Sequence, residues 1–345
     1  MGKSTRSAAG SKASEQEVNP KPTFAFRKGK LVRPYTVSDW HLPRCEEKMY
    51  WGSIAKEEHI KCLMKDSNEL ISTLNKCGLL KFLEKEPTGY STMDVIEFYN
   101  NSIVVVTDGE PTLETTVQGV QIKVDWKTLA DTFELRKAGN IRSFPSYPDS
   151  ELREFYEEIK NPRESSAPTQ FQTNSCRRKH VLDVYNNIGY LISKCVDCQK
   201  GSFDQFSRKR WSTLKLIHDM NSGKGFQLNW GKAILEIIAT AAKNFKASNC
   251  FDDDDEQKVT VDSILPLGIK ICYLLEKLGL TLRDPRDIPG GSYVGRHQYQ
   301  QAAKGTESST VSKKRRSSSA AEQSVASSAP PQKKSKKGGK HSTIK

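Results

Sequence analysis

Residues 207–242 read SRKRWSTLKLIHDMNSGKGFQLNWGKAILEIIATAA, and this stretch decides where the core lies. In its first half Trp211, Leu214 and Ile217 recur three apart, with His218 completing the stripe. In its second half Trp230, Ile234, Ile237, Ile238 and Ala241 fall at i, i+4, i+7, i+8 and i+11. That is the spacing of one apolar helix face. Between them Ser222-Gly223-Lys224-Gly225 is turn chemistry, because glycine reaches backbone angles that other residues resist. Asn229 stands where a side-chain oxygen caps the second helix. The segment predicts two helices joined by a short turn, and it names no reaction.

Working outward toward the N-terminus, helical patterning starts near Ser53. It runs through Ile60, Leu63, Met64, Leu70, Ile71, Leu74 and Cys77 and stops at Gly78. Ser91 or Thr92 caps a helix that turns Val95, Ile96, Phe98 and Tyr99 inward. The clear β material follows in three short runs, Ser102–Thr107, Leu113–Val117 and Val120–Val124, with turns at Asp108-Gly109 and Gly119. Asp125 then hands over to a helix with Trp126, Leu129, Ala130 and Phe133 inward. Leu152–Ile159 fits a short helix, and the pattern resumes from Val181 with Tyr185, Ile188, Leu191 and Ile192. Beyond the opening pair an acidic loop, Asp252–Glu256, precedes a last helix carrying Leu267, Ile271, Leu274, Leu275 and Leu278 on one face. Pro266 suits its first turn and Gly279 its end. The expectation is an α+β fold, a mostly α-helical single domain over residues 37–284 with a small antiparallel β-sheet.

The ends differ in kind. The 345 residues carry a formal charge of +13 and are only 36% hydrophobic, low for a wholly folded chain. Residues 1–36 hold eight Lys/Arg against two Glu, and residues 304–345 hold eleven against two. The middle is therefore left two charges on the negative side of neutral. We read 1–36 as a disordered basic arm and 285–345 as a disordered Ser/Lys-rich tail. Aromatics at Phe24, Phe26, Tyr35 and Trp40 interleave with basic residues, a pattern that suits edge packing or the stacking of single-stranded nucleic acid. The N-terminus lacks the apolar core of a secretory signal, so the eight cysteines read as reduced thiols. No apolar run approaches the roughly 18 residues of a membrane helix, and no membrane partner is expected.

Three passages carry a resemblance. Met93–Asn100 (MDVIEFYN) is similar to a "V.EFY" helix before strands, and Val117–Leu129 (VQGVQIKVDWKTL) to a "V.G..V.F....I" strand-to-helix passage. Met220–Lys232 (MNSGKGFQLNWGK), within the segment Leu214–Ile238, resembles "GK.INVGK.I" between two helices. Together they resemble the plant transposon protein domain found in plant retroelement-derived proteins, over roughly Trp40 to Leu282. The departure is Trp230 where that pattern has valine, a change of packing bulk. The resemblance implies a transposon origin and a plant source. It brings no catalytic residues to carry over.

Candidate chemistry is thin. Cys176-x3-His180 and Cys195-x2-Cys198 offer four ligands of the type zinc takes in tetrahedral sets. However, the first pair is mixed and an apolar helix lies between the pairs, so buried or idle thiols are the simpler reading. A zinc knuckle from Cys195 would need His and Cys where Phe203 and Arg208 stand. Gly223-Lys-Gly225 and Gly231-Lys232 miss the phosphate-loop spacing, since Phe226 and Ala233 occupy the critical positions. Asp252–Glu256 lacks the glycine turn and distal glutamate of a calcium loop, and Thr107-Asp108-Gly109 reverses the aspartic-protease order. No carboxylate trio has distinctive context, and we expect no pocket to gather three of them. No catalytic, cofactor or metal site is assigned.

The tail says more. Lys313, Lys314, Arg315 and Arg316 form one basic cluster, and Lys333, Lys334, Lys336 and Lys337 a second, in a Ser/Ala/Pro linker. That is the layout of a nuclear-import signal, with an import receptor as partner and the nucleus as destination. The tails also suit weak, salt-dependent contact with nucleic acid. The function expected is a non-enzymatic, transposon-derived nuclear interaction module; the alternative is a remnant of a metal-dependent transposase- or integrase-type nuclease.

Overall fold

The computed structural model describes residues 24–27, 30–34 and 36–302, apart from residues 108, 138, 140–143, 173–175, 199–203, 225–226 and 252. The described residues start with a hairpin, β1 (Phe24–Arg27) and β2 (Lys30–Pro34), inside the 1–36 arm that the sequence reads as disordered. Next come α1 (Leu42–Lys48), β3 (Met49–Tyr50), α2 (Glu57–Ile60), α3 (Asn68–Lys76), α4 (Leu80–Glu84) and α5 (Thr92–Asn101). A three-stranded sheet follows, β4 (Ile103–Thr107), β5 (Glu110–Val117) and β6 (Val120–Val124), and then α6 (Trp126–Thr132). The second half holds α7 (Asp149–Ile159), α8 (Asp183–Cys195), α9 (Arg208–Asn221) and α10 (Trp230–Lys243). It ends with the hairpin β7 (Ala247–Phe251) and β8 (Gln257–Val261), β9 (Leu265–Pro266) and α11 (Gly268–Lys277). The architecture is α+β and mostly helical, as expected.

The opening segment is the centre. Nine residues of α9 are buried, from Arg210 to Ile217 together with Asp219, so the helix is enclosed rather than striped. It packs against α3, α7 and α8. Trp211 meets the rings of Tyr156, Phe171 and Phe206 edge-on. Asn229 caps α10 as predicted: its Oδ1 accepts from the Lys232 N–H at 3.1 Å, and its Nδ2 donates to the Lys137 carbonyl at 3.1 Å. Trp230 is fully buried, and its indole Nε1 donates to the Cys77 carbonyl at 2.7 Å. The extra bulk over valine therefore joins α10 to the end of α3. Gly231 is required by close approach, since a Cβ there would lie 2.5 Å from the Trp126 carbonyl oxygen.

The strands β4, β5 and β6 run antiparallel in that order, with Leu113 opposite both Val104 and Val124. Alternation turns Val104, Leu113, Val117, Ile122 and Val124 inward, onto α5 and α10. Ser91 and Asp125 cap α5 and α6 by accepting from backbone N–H groups three residues on.

Three expectations are corrected. Pro266 is not in the first turn of the last helix. It lies in β9, which pairs parallel with β3, and Leu267 turns through φ +60° before α11 begins at Gly268. The first residue of α11 must be glycine, because a Cβ on Gly268 would lie 2.5 Å from the Trp51 ring. In the acidic run Asp253–Glu256 lie between the two strands of the β7–β8 hairpin, which the sequence reading missed. And the fold does not end at Asp284. Tyr90 and Arg286 exchange backbone hydrogen bonds at 2.9 Å, Ile54 bonds to Ser292 and Val294, and the compact unit runs to Ala302. Among the described residues no helix is long and apolar enough to cross a membrane.

Candidate functional site

Helix α7 buries Leu152, Phe155, Tyr156 and Ile159, the i, i+3, i+4, i+7 face. The same periodicity leaves Glu151, Glu154 and Glu158 together on its flank. Opposite them α9 presents Lys215, His218 and Asp219 at i, i+3 and i+4. With Tyr147, Phe155 and Lys224 these residues line a hollow of about 520 Å³. Four carboxylates thus share one pocket, against the expectation that none would gather three.

Charge pairing dominates the hollow. The Lys215 ammonium lies 2.7 Å from Asp219, 3.6 Å from Glu151 and 4.6 Å from the Tyr147 ring centre. Lys224, from the Gly-rich turn, reaches the second Asp219 oxygen at 3.0 Å. Burial works to raise the Asp219 carboxyl, but Lys215 and Lys224 outweigh it and hold the group below the usual carboxylate range. Beside this pair runs a chain of three side chains. Tyr185 Oη is 2.6 Å from His218 Nδ1, and His218 Nε2 is 2.9 Å from Glu158. The layout is that of a proton relay, but a nucleophile needs a lowered pKa. Burial, with Glu69 and Glu158 nearby, instead pushes the Tyr185 phenol up to about 12. Its proton stays put, and the chain ties α8 to α9 and α7. Among the described residues no three His, Cys, Asp or Glu side chains converge closely enough to hold a metal ion.

The four suggested zinc ligands do not meet. Cys176 sits against Tyr156, and His180 Nδ1 accepts from the Arg177 N–H at 3.0 Å. Cys198 Sγ accepts from the Leu267 N–H at 3.3 Å, and burial pushes the Cys195 thiol up to about 12. The two glycine–lysine pairs are structural: Lys224 serves Asp219, while Lys232 binds Glu110 at 2.5 Å and lies over Trp126. The import-like clusters Lys313–Arg316 and Lys333–Lys337 lie outside the described residues.

A second groove, about 1290 Å³, runs beside α9 and α10. Arg208, Lys209, Lys243 and Lys246 line it together with Asp197, Glu236 and Asp262, so it is mixed in sign. Sequence reasoning missed the α7–α9 hollow, although the spacing of Glu151, Glu154 and Glu158 was there to find. A helix count alone does not say which flank will face another charged flank. No protein-family model, curated protein or solved structure matches the chain.

Proposed function

We propose that the chain is a non-enzymatic nuclear protein of transposon descent, an interaction module whose basic ends make weak, salt-sensitive contact with nucleic acid. The partition of charge is the observation that carries this reading. The excess cations lie in the two ends, and the folded middle is near neutral. Within the body, charge is largely answered by charge: Arg283 binds Asp94 and Glu97, Lys232 binds Glu110, and Arg286 binds Glu46. Phosphate contact through the lysines of the ends falls with salt by about 0.9 per neutralised phosphate on logarithmic axes. Changing all eight cluster residues (Lys313, Lys314, Arg315, Arg316, Lys333, Lys334, Lys336 and Lys337) to glutamine should flatten that slope. It should also disperse a fluorescent fusion from the nucleus of plant cells. An unchanged nuclear signal overturns the import assignment.

One observation favours a second reading, a metal-dependent nuclease remnant: four carboxylates do line the α7–α9 hollow. Supercoiled plasmid incubated with the full chain and Mg²⁺ or Mn²⁺ should stay intact. Nicking that disappears in the Glu158→Gln variant would replace the first reading with the second.

A further inference from the structure

Residues 285–302 form a strap that returns to α2 and closes on one histidine. His59 is 7% exposed, and its Nδ1 has no hydrogen-bond partner among the described residues. A buried polar atom without a partner is rare, and this one belongs to the side chain whose charge changes near neutral pH. Its cover comes from the strap. The Tyr293 ring meets it edge-on at 6.1 Å between ring centres, and the Tyr299 ring lies tilted against it at 5.2 Å. Residues 296–302 are helical, and that turn of helix carries Tyr299 into place. Between the two tyrosines Gly295 takes φ +78°, and a Cβ there would lie 2.5 Å from the His59 carbonyl oxygen. Just upstream, the Ile54 N–H donates to the Ser292 carbonyl and the Val294 N–H to the Ile54 carbonyl, each at 2.9 Å. The strap therefore grips His59 by ring and backbone together.

The charges facing the ring decide what a proton does there. Lys56 and Glu58 come from the chain around α2 itself, Arg296 from the strap, and Glu86 from the segment after α4. Glu86 is already engaged, since it lies 2.8 Å from Lys56 and accepts from the Tyr293 hydroxyl. Glu58 is exposed, so water screens its pull. Tyr293 could steady an imidazolium by cation–π contact, but Lys56 and Arg296 already lie over that ring, at 5.5 and 5.2 Å from its centre. Burial, with Lys56 and Arg296, outweighs the two carboxylates and holds the imidazole below its ordinary 6.5. A protonated His59 is thus a buried charge without an acceptor, and lifting the strap is what returns it to water.

We propose that His59 is a pH-sensitive latch: neutral, it packs under the strap, and protonated, it releases residues 290–302 from α2 while the rest of the body stays folded. The latch is independent of the nuclear reading and of the basic tails. Because the docked state disfavours the proton, docking is at full strength above 6.5 and weakens as pH falls below it. Hydrogen exchange on the full chain tests this, read as protection factors so that the intrinsic pH dependence of exchange divides out. Between pH 7.5 and 5.5 the amides of Ile54 and Val294 should lose protection by as much as about tenfold, the ceiling for one imidazole of ordinary pKa in the released state. The Trp211 amide, bonded to the Ser207 carbonyl at 3.0 Å in α9, should keep its protection. His59→Phe leaves a ring under the tyrosines with no proton to take up, and should flatten the response. Arg296→Gln removes a cation facing the ring and should shrink the fall, which keeps the test open should the Phe variant not fold. His297→Gln, an exposed neighbour on the strap, should respond as the wild type does. Equal protection of Ile54 and Val294 at the two pH values overturns the latch, as does loss at Trp211 in step with them. So does a full fall in folded His59→Phe or in Arg296→Gln, or a flat response in His297→Gln.

Discussion

Lys270 is 2% exposed, and its ammonium donates to the carbonyls of Leu83 at 3.2 Å and Lys85 at 2.7 Å. These carbonyls belong to the last turn of α4, where a helix has acceptors left over. Burial pushes this ammonium down to about 8, from an ordinary 10.5. Between those values the unfolded chain binds the proton more tightly than the folded one. Stability contributed by this residue therefore rises as pH climbs through that window. Buried thiols act in the opposite sense: Cys45, Cys77 and Cys272 are each pushed up to about 12 by burial, so their contribution is lost above about 9. A difference measurement cancels these three thiols, none of which is shifted by Lys270. The unfolding free energy of the wild type minus that of Lys270→Met should increase between pH 7.5 and 9.5 by about 1 kcal/mol or more. Parallel curves for the two proteins would mean that Lys270 keeps its ordinary pKa. Nothing in the sequence marked this lysine, nor Arg210, Lys215 or Asp219, as interior, because a binary pattern assigns charge to the outside. Their partners are carbonyls and side chains brought in by other elements.

At the scale of elements, the joint between α6, α10 and the end of α3 depends on Asn229, Trp230 and Gly231. Asn229 serves two backbone groups at once, the Lys232 N–H and the Lys137 carbonyl. Asn229→Ala should cost about 1–2 kcal/mol in denaturant unfolding, the upper range for a lost helix cap. Asn229→Asp, which keeps the acceptor for Lys232 but not the donor to Lys137, should fall between the two. If Ala and wild type unfold at the same denaturant concentration, the cap contributes nothing. This joint was legible in the sequence, because caps and apolar spacing are local signals. The strands β4, β5 and β6 were legible for the same reason, as β-branched runs around glycine turns. The β7–β8 hairpin was not, since Ala247–Phe251 has no β-branched residue and its neighbour along the chain is an acidic run. The α7–α9 hollow was half legible: each flank follows from helix periodicity, but the facing of one on the other is tertiary. Gly268 shows the limit from the other side, because what a Cβ there would strike is the Trp51 ring, far away in sequence.

Across the whole molecule, the C-terminal strap shows why composition misplaces a boundary. Residues 285–302 hold Gly290, Gly291, Ser292 and Gly295, which in isolation resemble a linker. Here Gly295 instead lets backbone lie against the His59 carbonyl, and its neighbour Val294 is buried. The strap returns to the first third of the chain: Arg286 pairs with Tyr90 and Glu46, Tyr293 with Ile54 and His59. Such contacts close a loop of most of the chain's length, and their loss should loosen the early helices rather than only the end. A chain ending at Ala302 should therefore melt with the full-length protein. One ending at Arg283 loses the Tyr90 and Ile54 bridges together with the buried Val294, a deficit of several kcal/mol, and should melt on the order of 10 °C lower. Hydrogen exchange gives the sharper reading, because the amides of Ile54 and Tyr90 donate to Ser292 and Arg286. In the shorter chain those two amides should lose protection before α9 does, since α9 touches none of the deleted residues through these bonds. If both truncated chains melt together and Ile54 and Tyr90 stay protected, the strap is an ornament on a domain that closes at residue 284.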